Sequence, residues 1–195
     1  MKKIILLLLT FSMCFSLVSC KDKKEISKEQ SGDIVQKEDV IKDGVKISYP
    51  IDPTTKKECK TIEFLDSVII AEDENIKIEL VNFYEKSWAS DNVDKYVTFK
   101  CYNKSANELT ANLREAYIND EGASIAVAGG TGNDIASNKS KNFVYIISKS
   151  TGSVPTPLDN LEDLYKLDGT FEVYFEDNFT DTYKLDFSVA DVANQ

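Results

Sequence analysis

The sequence predicts an all-β domain: two stacked sheets built from seven to eight short strands, with one short helical segment near 158–167. Three observations lead there. From about residue 60 onward apolar residues recur with period two, the mark of strands that bury one face. Clusters of Asn, Asp, Ser and Gly interrupt these runs at short intervals, as in a sandwich. The stretch from Pro157 to Leu167 spaces its apolar residues as a short helical segment does.

The strands follow in order. Ile62, Phe64, Asp66, Val68 and Ile70 alternate, the acidic turn Glu72-Asp73-Glu74-Asn75 follows, and Ile76, Ile78 and Leu80 alternate after it, so the two runs read as a hairpin. Residues 88–94, with Trp88, form a polar loop. Residues 96–102 make a strand with Val97, Phe99 and Cys101 on one face. Residues 103–107 turn the chain, and 109–118 form another strand, although Ala-Asn-Leu-Arg-Glu-Ala also suits a helix. Asn119-Asp120-Glu121-Gly122 is a turn, 124–128 a short apolar segment, and Gly129-Gly130-Thr131-Gly132 a loop. Phe143, Tyr145 and Ile147 oppose Val144 and Ile146 in a strongly β-forming run. Leu158, Leu161, Leu164 and Tyr165 recur at helical spacing, and Gly169 ends that segment. Residues 170–176 and 182–189 close the domain as a hairpin in which Phe171, Val173 and Phe175 face Tyr183, Leu185 and Phe187. The expected core is Ile62, Phe64, Ile76, Ile78, Leu80, Val97, Phe99, Leu109, Phe143, Tyr145, Phe171, Val173, Phe175, Leu185 and Phe187.

The start of the chain has a different character. Met1-Lys2-Lys3 is a short basic region, an apolar run extends from 4 to 18, and Ser19-Cys20 precede the charged stretch Lys21-Asp22-Lys23-Lys24-Glu25. That is the pattern of an export signal, and the apolar run is shorter than the roughly 20 residues a membrane-spanning helix needs. Leu17-Val18-Ser19-Cys20 resembles the bacterial lipobox. The resemblance implies a signal peptide over 1–19, cleavage before Cys20, and lipid attachment at the Cys20 thiol with acyl chains such as palmitate. Two or more acyl chains give stable anchoring where one gives marginal binding. The expected address is the extracytoplasmic face of the cell membrane, reached through lipid on Cys20. Residues 20–58 are then the anchor and a flexible charged tether, since Tyr49 is the one aromatic residue among them, and 59–195 the folded domain. A short strand at 45–49, alternating Val45, Ile47 and Tyr49, is the one structured element the tether suggests.

Charge separates the two parts. Residues 21–58 carry nine lysines and nine acids, whereas 59–195 carry 12 basic and 24 acidic residues. Such an acidic domain repels nucleic acid, which is excluded as a partner. With Cys20 lipidated, Cys59 and Cys101 are the only cysteines left to form an intrachain disulfide; a buried free thiol at Cys101 is the other reading.

The chain contains no histidine. That removes Ser-His-Asp and Cys-His triads, histidine bases and histidine metal ligands together. The remaining carboxylate clusters, Glu72, Asp73 and Glu74 in one turn and Glu176, Asp177 and Asp181 in another, read first as solvated turn formers. Their oxygens are also the ones a Ca²⁺ ion would seek, without the EF-hand spacing or its central Gly. Gly129-Gly130-Thr131-Gly132 lacks the Gly-Lys-Ser/Thr of a phosphate cradle. No catalytic residue, cofactor or metal site is predicted. Outward tyrosines, Tyr96, Tyr102 and Tyr174, can form a row that stacks on sugars or grips a protein, or can simply cover sheet edges.

The run 76–84, then 95–105 ending in Tyr102-Asn103-Lys104-Ser105, then 109–119 ending in Tyr117-Ile118-Asn119, resembles a recurring exported immunoglobulin-like domain of Gram-positive bacterial lipoproteins. The similarity covers roughly 60–190, including the Leu-rich segment at 157–167 and closing strands beginning at Thr170 and Thr182. The resemblance implies an immunoglobulin-like sandwich on a lipid tether. Trp88, 29 residues after Cys59 and 13 before Cys101, does not occupy the core position of antibody-type domains. The function expected is a membrane-anchored, non-catalytic cell-surface module that binds an envelope protein or glycan. The alternative is a small-ligand or Ca²⁺-binding accessory lipoprotein of an uptake system.

Overall fold

The computed structural model describes residues 37–88, 93–123, 126–127, 133–148, 158–175, 178–190 and 192. Its strands, in order, are β1 (Val40–Lys42), β2 (Val45–Ser48), β3 (Thr61–Glu72), β4 (Ile76–Ser87), β5 (Val93–Asn103), β6 (Leu109–Ile118), β7 (Glu121–Gly122), β8 (Ala126–Val127), β9 (Asp134–Ile135), β10 (Ser140–Ser148), β11 (Lys166–Phe175) and β12 (Asn178–Ala190). They form two antiparallel sheets, ordered β1-β2-β3-β4-β5-β10-β8 and β12-β11-β6-β7, with β9 also pairing with β6. The chain is a two-layer β-sandwich, as the period-two runs require. The excess over eight strands comes from β1, β7, β8 and β9, each two or three residues long and too short to leave a periodic trace.

Turn chemistry follows the residue types. Asp43 and Gly44 have φ of 49° and 80° and join β1 to β2. Asn119 and Asp120, at 53° and 68°, join β6 to β7. Both are two-residue hairpin turns whose positive φ suits Gly, Asn and Asp. Between β3 and β4, Asp73 Oδ1 accepts the N–H groups of Asn75 and Ile76 at 2.7 and 2.8 Å. After β5, the buried Asn103 donates to the carbonyls of Asn107 and Ile135 and accepts from the Ser105 N–H and hydroxyl. The Asn-Lys-Ser turn thus ties the β5–β6 connection to β9.

The core lies between the sheets and is centred on aromatic rings. Phe99 stands 5.3 Å from Phe171, 5.7 Å from Phe187 and 6.0 Å from Tyr145, all edge-on. Tyr145 links the layers, its hydroxyl accepting the Leu113 N–H at 3.3 Å. Burial pushes that phenol up to about 12, so it stays protonated. Twelve of the fifteen expected core residues are buried; Phe64, Phe175 and Leu185 are half-buried against them. Phe83, Ile118, Ile135 and Ile147 complete the layer.

Three expectations need correction. The folded body reaches back into the span assigned to a tether: β1 pairs with β2 and β2 with β3, Ile51 bridges to Glu58, and Val35–Gln195 forms one unit. Short alternating stretches gain a stable partner in β3 that composition alone does not reveal. The Leu-rich segment holds only a single 3₁₀ turn, Leu161–Asp163, and Gly169 lies within β11 rather than ending a helix. Leu158, Leu161 and Leu164 are nevertheless buried and belong to the hydrophobic core. Gly169 is needed for a different reason: a Cβ there would stand 2.7 Å from the Phe187 ring and 2.8 Å from the Glu115 carbonyl. Finally, Cys59 and Cys101 are both buried and both free. Cys101 pairs with Ile78, whereas Cys59 adjoins Lys60, whose carbonyl binds Glu85, seven residues farther along β4. That separates them by roughly 20 Å along the strand, against the roughly 4.4–6.8 Å a disulfide spans.

Candidate functional site

Cys20, Gly129, Gly130, Thr131, Gly132, Glu176 and Asp177 lie outside the described residues, and of Asp181 only the backbone is described. The other acidic turn is occupied with its own architecture. Besides the Asp73 bonds, Glu72 pairs with Lys104 at 2.9 Å, and Lys104 also bonds the Asp73 carbonyl. Among the described residues no group of His, Cys, Asp and Glu is placed to hold a metal ion. The three outward tyrosines do not form a row. Tyr96 is buried and stacks on Tyr84 at 4.9 Å; Tyr102 lies beneath the ammonium groups of Lys77 and Lys100; Tyr174 is on the other sheet, where Asn112 donates to its hydroxyl. Trp88 is exposed, its Nε1 donating to Asp94 at 3.0 Å.

Two surfaces gather polar groups that the sequence does not single out. The first is the outer face of the smaller sheet. Alternation along β6, β11 and β12 turns Leu113, Ala116, Leu167, Phe171 and Phe187 inward and Glu115, Tyr117, Asp168, Thr170, Lys184 and Asp186 outward. The outward set lines a shallow depression of about 510 Å³. Thr170 donates to Asp186 at 2.7 Å. Lys166 bridges Asp120 and Asp168 at 2.6 and 2.8 Å. Burial raises the Asp168 carboxyl, but the hydrogen bonds from Lys166 and Ser188 and the Lys166 charge together outweigh it, and the group sits below the ordinary carboxylate range. Tyr117 is 44% exposed at the rim.

The second surface is a polar pocket of about 180 Å³ at the end of the sandwich, by the Leu161–Asp163 turn. Lys60 is buried there, with its Nζ 3.0 Å from Glu162 and its N–H donating to Glu85 at 2.9 Å. Glu85 also stands cross-strand from Lys95. Lys95 is 5% exposed; burial pushes its amine down against the opposing pull of Glu85, Asp159, Asp94 and Asp163. Lys37 completes the pocket, its Nζ 4.6 Å above the Tyr49 ring and 3.8 Å from Glu58 Oε2. Sequence reading placed Lys37, Tyr49 and Glu58 in a tether. The one available signal was Tyr49 itself, an isolated aromatic at the end of the alternation Val45, Ile47, Tyr49.

Cys101 is raised far above the thiol range by burial and faces the core. The arrangement suits recognition: fixed carboxylates, ammonium groups and aromatic faces on a rigid sheet. Comparison with protein-family models, with curated proteins and with solved structures returns no match.

Proposed function

We propose that this chain is a lipid-anchored protein of the extracytoplasmic membrane face, held by Cys20, and that its β-sandwich is a non-catalytic module binding an envelope protein or glycan. The address rests on the basic start, the apolar run and Leu17-Val18-Ser19-Cys20. The sandwich, the Asn103-Lys104-Ser105 turn and the closing pair of strands are in keeping with the immunoglobulin-like lipoprotein family of Gram-positive bacteria.

The observation that carries the binding role is the outer face of the smaller sheet. An exposed tyrosine borders a depression whose floor is charged and hydroxylated. An aromatic face with a polar edge beside preset hydrogen-bonding groups suits a sugar ring or a polar polypeptide surface. Affinity capture from envelope extracts with the full-length protein is expected to enrich one protein or glycan, and Tyr117→Ala to reduce that recovery severalfold. Undiminished recovery with Tyr117→Ala, or no enrichment by the parent protein, would refute the assignment. Membrane fractionation tests the address: Cys20→Ala is expected to leave the precursor uncleaved and to abolish lipid labelling, and normal labelling would overturn it.

A further inference from the structure

We propose that the outer face of the smaller sheet binds an uncharged saccharide chain, with the Tyr117 ring as its platform. This rests on the binding role proposed for that face and narrows the partner from protein or glycan to a neutral sugar polymer.

The charges of the face lead to it. Arg114 takes up Glu172 at 2.6 Å, and Lys166 takes up Asp120 and Asp168. Those pairs leave Glu115 and Lys184 without a hydrogen bond or ion pair among the described residues, and Asp186 with the Thr170 hydroxyl alone. Glu115, Thr170 and Asp186 stand in one row across β6, β11 and β12, with Lys184 two residues from Asp186 on the same face. The floor of the depression therefore offers two acceptors and one donor that the fold leaves open. Opposite charges set this close largely cancel at a distance, and hydrogen-bonding capacity is what remains. A hydroxyl donates to a carboxylate and accepts from an ammonium, so a polyhydroxylated ligand satisfies all three without bringing a charge of its own.

The rim supplies the apolar half of the site. Tyr117 stands between Asp168 on β11 and Gly122 on β7. A Cβ on Gly122 would lie 3.9 Å from the Tyr117 ring. Glycine thus leaves that flank of the ring without a covering side chain, and Tyr117 is 44% exposed. Such a ring presents an apolar face to the C–H side of a sugar and keeps a polar tip in water. A protein partner is the poorer fit. The centres of protein interfaces are depleted of charge and built around aromatic anchors in desolvated pockets, whereas this floor is charged and Tyr117 is the one exposed aromatic lining it. A shallow depression also covers only one side of its ligand, unlike the enclosing clefts of small-molecule sites, and so suits a polymer segment lying across the strands.

The test titrates full-length protein in detergent, by calorimetry, with the neutral tetramers of N-acetylglucosamine, glucose, galactose and mannose. Two charged counterparts accompany them: the glucosamine tetramer with free amines and the galacturonate tetramer with carboxylates. At least one neutral tetramer is expected to bind, with an affinity that changes less than about twofold between low and physiological salt. Tyr117→Ala should weaken that binding about two- to tenfold through loss of the ring, and Lys184→Met about fivefold or more through loss of an ionised donor. Binding by none of the neutral tetramers, tighter binding of a charged tetramer than of its neutral counterpart, or an affinity unmoved by both substitutions would each overturn the sugar assignment. The binding role of the face is judged separately by capture: a protein recovered through Tyr117 while every neutral tetramer fails leaves that role standing and removes the sugar. Both side chains are exposed, and thermal melts matching the parent's confirm that the variants are folded; if Tyr117→Ala is unfolded, Lys184→Met decides alone.

Discussion

Replacing Phe99 with alanine removes the ring on which the core converges. Phe99 is fully buried and contacts Phe171, Phe187 and Tyr145 edge-on. Its backbone is pinned between Leu80 on β4 and Phe143 on β10. Strands held on both sides cannot close inward, so the cavity persists. Phe→Ala truncations in such sites cost roughly 3–5 kcal/mol, and this one belongs at the upper end. A domain of this size is stable by about 5–15 kcal/mol in total. With a urea slope of about 2 kcal/mol per molar, a loss of about 4 kcal/mol lowers the midpoint by about 2 M. Lys100 is the control. It lies on the opposite face with its Nζ 4.8 Å over Tyr102, a contact worth about 0.5–1 kcal/mol at most. Urea melts of Phe99→Ala and Lys100→Ala followed by circular dichroism decide the matter. Equal losses, or a larger loss for Lys100→Ala, would refute the register of β5 and with it the identity of the inward face.

Gly169→Ala should destabilise by roughly 1–3 kcal/mol or more, since the new methyl meets both the Phe187 ring and the immobile Glu115 carbonyl; an unchanged thermal midpoint would contradict that packing. Glu79 gives a pH signature. Burial raises its carboxyl, but hydrogen bonds from Lys77, Ser67 and Tyr102 outweigh burial and hold it at about 2 instead of 4.5. A lowered folded value means stability present above about 4.5 and lost as pH falls toward 2. Glu79→Gln should flatten that acid limb in pH-dependent melts, and an identical limb would remove Glu79 as its cause. Limited trypsin digestion should leave a fragment that retains β1 and β2, because both are paired into the larger sheet; a stable fragment beginning at Cys59 would contradict that pairing.

The sequence by itself determined the class of the fold, most of the core and the turns. Period-two alternation is a local property: in a strand, residues two apart share a face whatever the partner strand is. Val97, Phe99 and Cys101, or Phe171 and Val173, could therefore be placed inward from their own neighbours alone. Asn119-Asp120 and the Asn103 turn were legible for the same reason, since their chemistry acts within a few residues. Only the tertiary structure decided where that parity breaks. Val81 is an extra residue opposite β5, so Ile76, Ile78 and Leu80 point inward and then Phe83 does, rather than Asn82 or Tyr84. Arg114 does the same in β6 against β11. Each bulge reverses the alternation, and its position is set by the partner strand and not by the strand's own residues. The pocket was hidden on the same grounds. Lys60 and Glu162 meet across 102 positions, and Lys37 reaches Tyr49 and Glu58 only because β1 and β2 fold onto β3. Charges so far apart along the chain carry no local trace of one another, and only the closing of the sheets brings them within ion-pair range.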